Sequence, residues 1–286
     1  MRLAVPCLLL LLAGASSCAA APADRPQTLA DGRTLNLWCD GRRGPVVLFD
    51  SGWAADGRVW RRAMAGLSPR FRVCAVDRAG EGRSSPGPLP RDGAAVARDL
   101  KAALDASALP APYILVGHSL GALNMRHFQL LFPSKSGALV LVDPTIPGGV
   151  PPQANRARAC LAALASPEAS DQALLSRCRG SHPEGSKARW ESRLSELESL
   201  GGSTATGLLG QQPGSLSLPL IVLTAGRTYP DAAAGQAWHA AHARLAALSA
   251  KGEARLVADS GHMMMLDQPD AVSRAVSDAA RIAGTR

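Results

Sequence analysis

Apolar and polar positions along the chain follow two rhythms. Short, nearly unbroken apolar runs alternate with longer stretches in which apolar residues return every third or fourth position. The first rhythm predicts strands buried on both faces and the second amphipathic helices. Their alternation predicts an α/β domain with a mostly parallel sheet. Residues 34–39, 46–50, 71–76, 113–116, 138–142, 220–223 and 254–258 read as strands. Residues 59–67, 92–104, 120–132, 234–248 and 269–282 read as helices. Pro133 stops the third of these, and Pro269 opens the last.

Between residues 144 and 218 the texture changes. Pro147, Pro151, Pro152, Pro183 and Pro213, with many Gly and Ser, punctuate short helical pieces, of which 184–200 is the clearest. This block separates two predicted strands. It is therefore expected to be a cap, about residues 145–218, inserted in a domain spanning 25–286.

The first twenty residues have a different pattern. Met1-Arg2 is a positive start, residues 3–15 are apolar, and residues 16–21 are small. That layout predicts a secretory signal over 1–20 and an exported protein, periplasmic or secreted. The apolar run is too short for an ordinary membrane span. Ala15-Ser16-Ser17-Cys18 is similar to a lipoprotein cleavage site, which makes lipid anchoring at Cys18 the alternative to cleavage near Ala20. Cys39, Cys74, Cys160 and Cys178 would then remain. Each of the pairs Cys39–Cys74 and Cys160–Cys178 lies within one region, so these are the expected disulfides. No C-x-x-C is present, and no metal site is expected.

Composition narrows the classes further. With 47% hydrophobic and 19% charged residues, the chain can bury a core. Aromatics are only 4%, so that core is aliphatic. The formal charge of +8 is carried by scattered Arg and Lys, densest at Arg42-Arg43 and Arg61-Arg62. No nucleic-acid motif accompanies it, so a basic surface is expected and a nucleic-acid partner is not.

The chemistry centres on Gly117-His118-Ser119-Leu120-Gly121, a G-x-S-x-G sequence. The pattern alone arises by chance in roughly one chain in four of this composition. Here a predicted buried strand enters it and a helix free of Pro leaves it. The small residues let the backbone turn sharply and raise the Ser hydroxyl. The helix start aims backbone N–H groups at developing negative charge. A Ser nucleophile needs a base, and the base an orienting acid. Of six His, His118 sits within the motif, His127 in the helix after it and His182 in the cap; His239 and His242 lie on a polar helical stretch. His262 follows the last predicted strand in A-D-S-G-H, on the same sheet edge as Ser119, and is the expected base. Two acids fit: Asp143, which ends the strand after the nucleophile helix, and Asp231, in the loop after the next strand. The backbone N–H groups of Leu120 and of Trp53, in D-S-G-W, are the expected oxyanion donors.

VVLFDSGW, CAVDRAGEGRS, YILVGHSLG, LVLVDP, PLIVLTAGR and SGHMMMLDQPDAV, in this order, resemble the α/β-hydrolase superfamily, in particular an exported bacterial serine hydrolase branch of the esterase and lipase kind. The resemblance implies an eight-stranded, mostly parallel sheet with helices on both faces and a helical cap. It implies no cofactor, a small-molecule acyl substrate, and an acid after the sixth strand, which favours Asp143. Ser at the nucleophile position disfavours the dehalogenase and epoxide hydrolase branches. Ser51-Gly52 stands where the superfamily has His-Gly. The resulting expectation is ester hydrolysis through an acyl-enzyme. Acyl transfer or perhydrolysis on the same residues is an alternative, and a non-catalytic binding protein on this fold is a third reading. Trp190 and Met263 to Met265 suggest a small or aliphatic acyl pocket.

Overall fold

The structure, a computed structural model, describes residues 22–180 and 185–285. The signal region, Cys18 and His182 lie outside the described residues. Eight strands form one sheet: β1 (Ala23–Thr28), β2 (Thr34–Asp40), β3 (Val46–Asp50), β4 (Arg72–Val76), β5 (Tyr113–His118), β6 (Ser136–Val142), β7 (Leu220–Ala225) and β8 (Gly252–Val257). Their order is β1-β2-β4-β3-β5-β6-β7-β8. β1 and β2 run antiparallel to their neighbours, and every pairing from β4 to β8 is parallel. The chain thus has the eight-stranded, mostly parallel α/β-hydrolase architecture.

Alternation along the central strands builds two cores. Val46 and Leu48 of β3, Leu115 of β5 and Leu139 and Leu141 of β6 point to one face. There they meet helices Gly93–Ser107, Leu120–Leu131 and Ala232–Ala246. Val47, Phe49, Ile114, Val116 and Val140 point to the other, under helices Arg61–Leu67 and Pro269–Ala283. Helices on both faces are why these strands read as continuous apolar runs.

β1 was not expected from the pattern. Its sequence ADRPQT has no apolar alternation, and no residue of it is fully buried. It is an edge strand held by backbone pairing to β2, where Pro26 is tolerated. Cys39 and Cys74 face each other across β2 and β4 and form one disulfide; Cys160 and Cys178 form the other, within the insert.

Between β6 and β7 the chain forms helices Gln153–Ala165, Gln172–Arg179, Ser186–Glu198 and Ser203–Leu209. They carry a small core of their own, in which Ala157, Trp190 and the Cys160–Cys178 pair are buried together. No helix among the described residues is long and apolar enough to cross a membrane.

Candidate active site

β3, β5, β6, β7 and β8 are neighbours running the same way, so their carboxyl ends gather the loops after Asp50, His118, Val142, Ala225 and Val257 on one edge. Ligand sites of parallel sheets form at that edge.

Ser119 alone makes the turn between β5 and the following helix, at φ 51° and ψ −118°. A non-glycine residue there carries strain of ~1–3 kcal/mol. The surroundings hold it in place. The Ser119 N–H donates to the Val142 carbonyl, and its own carbonyl accepts from the N–H groups of Ala122 and Thr145, each at 3.1 Å. The helix also packs close. A Cβ on Gly121 would collide with the carbonyl oxygens of Asp50 and Ser51, and one on Gly117 with the backbone of Ala122. The small residues of the motif are therefore required by contact with β3 and by the sharp turn. The Ser119 hydroxyl shares a hydrogen bond of 3.1 Å with the Thr145 hydroxyl.

His262, in the loop after β8, donates from Nδ1 to Asp143 Oδ2 at 2.7 Å. The imidazole is 42% exposed and the carboxylate fully buried. Asp143 Oδ2 also accepts from Thr228 Oγ1 at 2.6 Å, while Oδ1 accepts from Trp238 Nε1 at 2.8 Å and the Ala225 N–H at 3.1 Å. Burial pushes the Asp143 carboxyl up, but these four donors outweigh it and leave it below its ordinary value. Asp143 is therefore an anion, and it fixes the His262 proton on Nδ1. Nε2 is left as the basic nitrogen.

His118 lies beneath His262, with ring centroids 4.6 Å apart. Its Nε2–H donates to the His262 carbonyl at 2.8 Å, and its Nδ1 has no partner among the described residues. Burial, then the neighbouring His262 imidazole, pushes the His118 ring down to about 3, so it is neutral. A second buried imidazole supports the acid from behind. His242 Nε2–H donates to the Pro144 carbonyl, and its Nδ1 accepts from the Thr224 hydroxyl.

The loop after β3 is tied down by Arg78, itself buried. Its guanidinium pairs with Asp50 at 2.6 Å and with Glu196 at 2.9 Å, and donates to the carbonyls of Ser51 and Gly52. Burial opposes its charge, but Asp50 and Glu196 raise its pKa well above the ordinary value. Glu196 belongs to the cap helix Ser186–Glu198. The same helix binds Glu81 through Arg193, at 2.6 Å, and its Arg193 carbonyl accepts from Trp53 Nε1. The cap is thus fastened to the loop that bears Trp53.

Ser119, His262, Trp53 and Leu120 all border one cavity of about 630 Å³ between sheet edge and cap. Of the expected residues, the structure therefore brings together Ser119, His262, Asp143, Trp53 and Leu120. It does not bring Asp231, which is exposed and caps helix Ala232–Ala246, accepting from the Ala234 N–H at 2.8 Å. Trp190 is buried in the cap core and does not line the cavity; Met264 and Met265 are buried under the sheet, and only Met263 reaches it. His242 is fully buried, whereas its stretch reads as polar. Sequence reasoning missed Arg78, Thr145, Thr228 and Trp238. The signal for one existed: Trp238 and His242 are four residues apart, hence on one face of their helix.

Residues 46–275 match the Alpha/beta hydrolase family. The uncharacterized protein YqjL of Bacillus subtilis is 25% identical over 238 residues, covering 83% of this chain and 84% of that one. A pimeloyl-[acyl-carrier protein] methyl ester esterase of Chromobacterium violaceum is 39% identical over 100 residues, 35% of this chain. The match spans little more than a third of that esterase, 37%. A thermophilic esterase from Thermogutta terrifontis superposes with a TM-score of 0.64 at 21% identity, over 92% of this chain and all of that one. At that identity the likeness is one of fold.

Proposed function

The chain belongs to the α/β-hydrolase family, and from that premise we propose that it is a serine hydrolase cleaving ester-type bonds through Ser119, His262 and Asp143. The observation that carries the reading is the 2.7 Å contact of His262 Nδ1 with the buried Asp143 carboxylate, at a cavity that Ser119 also lines. Rotation of the Ser119 side chain from Thr145 toward His262 Nε2 readies the nucleophile; such hydrogen bonds commonly tighten only with substrate bound. Ser119 Oγ then adds to the ester carbonyl carbon as Nε2 takes the hydroxyl proton. Asp143 stabilises the resulting imidazolium. The carbonyl oxygen becomes an oxyanion held by the Leu120 and Trp53 N–H groups, each donor worth ~2.7–4 kcal/mol in the transition state. The carbon–oxygen bond to the alcohol breaks, and Nε2 returns the proton to the departing oxygen. Water repeats the sequence on the acyl-enzyme, releasing the acid and restoring Ser119.

The esterase among the relatives supports an ester substrate. The two disulfides support an exported location, since such bonds persist in oxidising compartments.

Fluorophosphonate labelling of the purified protein, with the modified peptide identified by mass spectrometry, tests the assignment. Label is expected on Ser119 and lost in His262→Ala. Ser119→Ala is expected to abolish ester turnover with an unchanged melting temperature. Full activity in Ser119→Ala would refute the reading.

A further inference from the structure

We infer that the substrate is an uncharged ester whose alcohol part is aromatic and whose acyl part is aliphatic, an inference that rests on the roles proposed above for Ser119 and His262.

The absence of charge comes first. Among the described residues that line the cavity, the only side chains that titrate are His118, His262 and Tyr229; no Asp, Glu, Lys or Arg borders it. His118 is neutral, and its ring is already engaged with the His262 carbonyl. A carboxylate or ammonium on the substrate would lose its water here and meet no countercharge.

The placement of the two halves follows from the tetrahedral carbon. One of its bonds goes to Ser119 Oγ. The oxyanion points at the Trp53 and Leu120 N–H groups. The alcohol oxygen must face His262, which gives it a proton. The fourth direction is left for the acyl chain.

The walls differ in these directions. Around His262, the shared Asp143 carboxylate fixes Thr228 and Trp238 beside the imidazole. Tyr229 stands edge-on to Trp238, with ring centroids 5.5 Å apart. The alcohol therefore meets an aromatic pair. From the cap, Leu197 and Leu200 line the same cavity, in one apolar cluster with the Leu120 side chain, against which Trp53 packs. The acyl chain therefore meets an aliphatic wall from the cap.

Benzyl and cyclohexylmethyl alcohols have similar size and acidity, so their butyrates isolate recognition from leaving-group reactivity. The benzyl ester is expected to have the higher kcat/KM by about fivefold, the scale of one aromatic contact. Tyr229→Leu, at an exposed position, should erase that ratio while leaving the butyrate-to-acetate ratio unchanged. Leu200→Ala should do the reverse, changing the acyl ratio and sparing the alcohol ratio. Benzyl hydrogen succinate, with a carboxylate at the acyl end, should react at least about a hundredfold more slowly than benzyl butyrate. Equal rates for the two butyrates, or a Tyr229→Leu effect on the acyl ratio instead, would overturn the inference. So would fast turnover of the succinate. If Ser119 takes the phosphonate and selectivity is absent, only the substrate class falls. If a folded protein takes neither label nor ester, the Ser119 assignment falls with it.

Discussion

Replacing His118 by Asn removes one buried imidazole from beneath the candidate base, and the consequence should be a change in acid sensitivity. In the folded protein the ring is neutral, because burial and the neighbouring His262 push it down to about 3. Protonation would add a proton at Nδ1, which has no acceptor among the described residues. In the unfolded chain the ring titrates near its ordinary value of 6.5. Between these values the unfolded state binds more protons than the folded one. The stability contribution is therefore complete above 6.5 and is lost as the pH falls toward 3. At pH 5 the folded ring is still neutral, so the loss depends on the unfolded value alone and amounts to about 2 kcal/mol relative to pH 8. His127 and His242 are also lowered by burial and act in the same direction, but they remain in the variant. Any cavity or hydrogen-bond cost of the Asn is independent of pH and cancels in the comparison. Urea unfolding followed by tryptophan fluorescence at pH 8 and pH 5, for both proteins, reads the difference. The wild type should lose about 2 kcal/mol more than His118→Asn between the two values. Equal losses would mean that His118 is protonated in the folded state, or is not sealed from water, and the reasoning would fail.

Five further outcomes are expected. Asp143→Asn should lower kcat by about ten-thousandfold, through the wrong His262 tautomer. Asp231→Ala should leave kcat unchanged and lower stability by about 1 kcal/mol, the worth of an N-cap; steady-state kinetics with thermal melts would separate the two acids. Arg78→Met strands Asp50 and Glu196 and should destabilise by about 3–5 kcal/mol in urea unfolding. Glu196→Gln leaves Arg78 on Asp50 and should cost only about 1 kcal/mol. Trp238→Phe keeps an aromatic, though smaller, ring and removes one of the four donors to Asp143, and kcat/KM should fall about three- to tenfold, as for one hydrogen bond; no loss would show that the indole N–H does not help to position the acid.

Legibility from sequence followed burial. β3, β5, β6 and β7 are covered on both faces, so their apolar runs announce them, and the loops at their carboxyl ends could be assigned to one edge. That is why Ser119 and His262 could be singled out. β1 could not be seen, because an edge strand gains its place through backbone pairing that leaves no side-chain pattern. Arg78 has no role legible in the sequence, since its partners Asp50 and Glu196 lie 28 and 118 residues away. Asp143 and Asp231 were equally placed by the order of elements. What separates them is local: Asp231 directly precedes an Ala-rich helical run and behaves as an N-cap, a signal readable in the sequence. Asp143 has no local use, and its four donors come from elements 82 to 119 residues away.

The position of the acid also bears on what the rest of the edge can do. With the carboxylate on the loop after β6, the loop after β7 does not have to supply it. That loop instead sends Thr228 to the carboxylate and Tyr229 to the cavity wall. The helix that follows sends Trp238 to both. The carboxylate that orients His262 is thus also the anchor of the aromatic wall. On the roles proposed above, a change in Thr228 or Trp238 would act on the base and on the alcohol side together, whereas Leu197 and Leu200, held through the cap and the Arg78–Glu196 pair, would act on the acyl side. The two halves of the proposed substrate would then meet two separately supported walls.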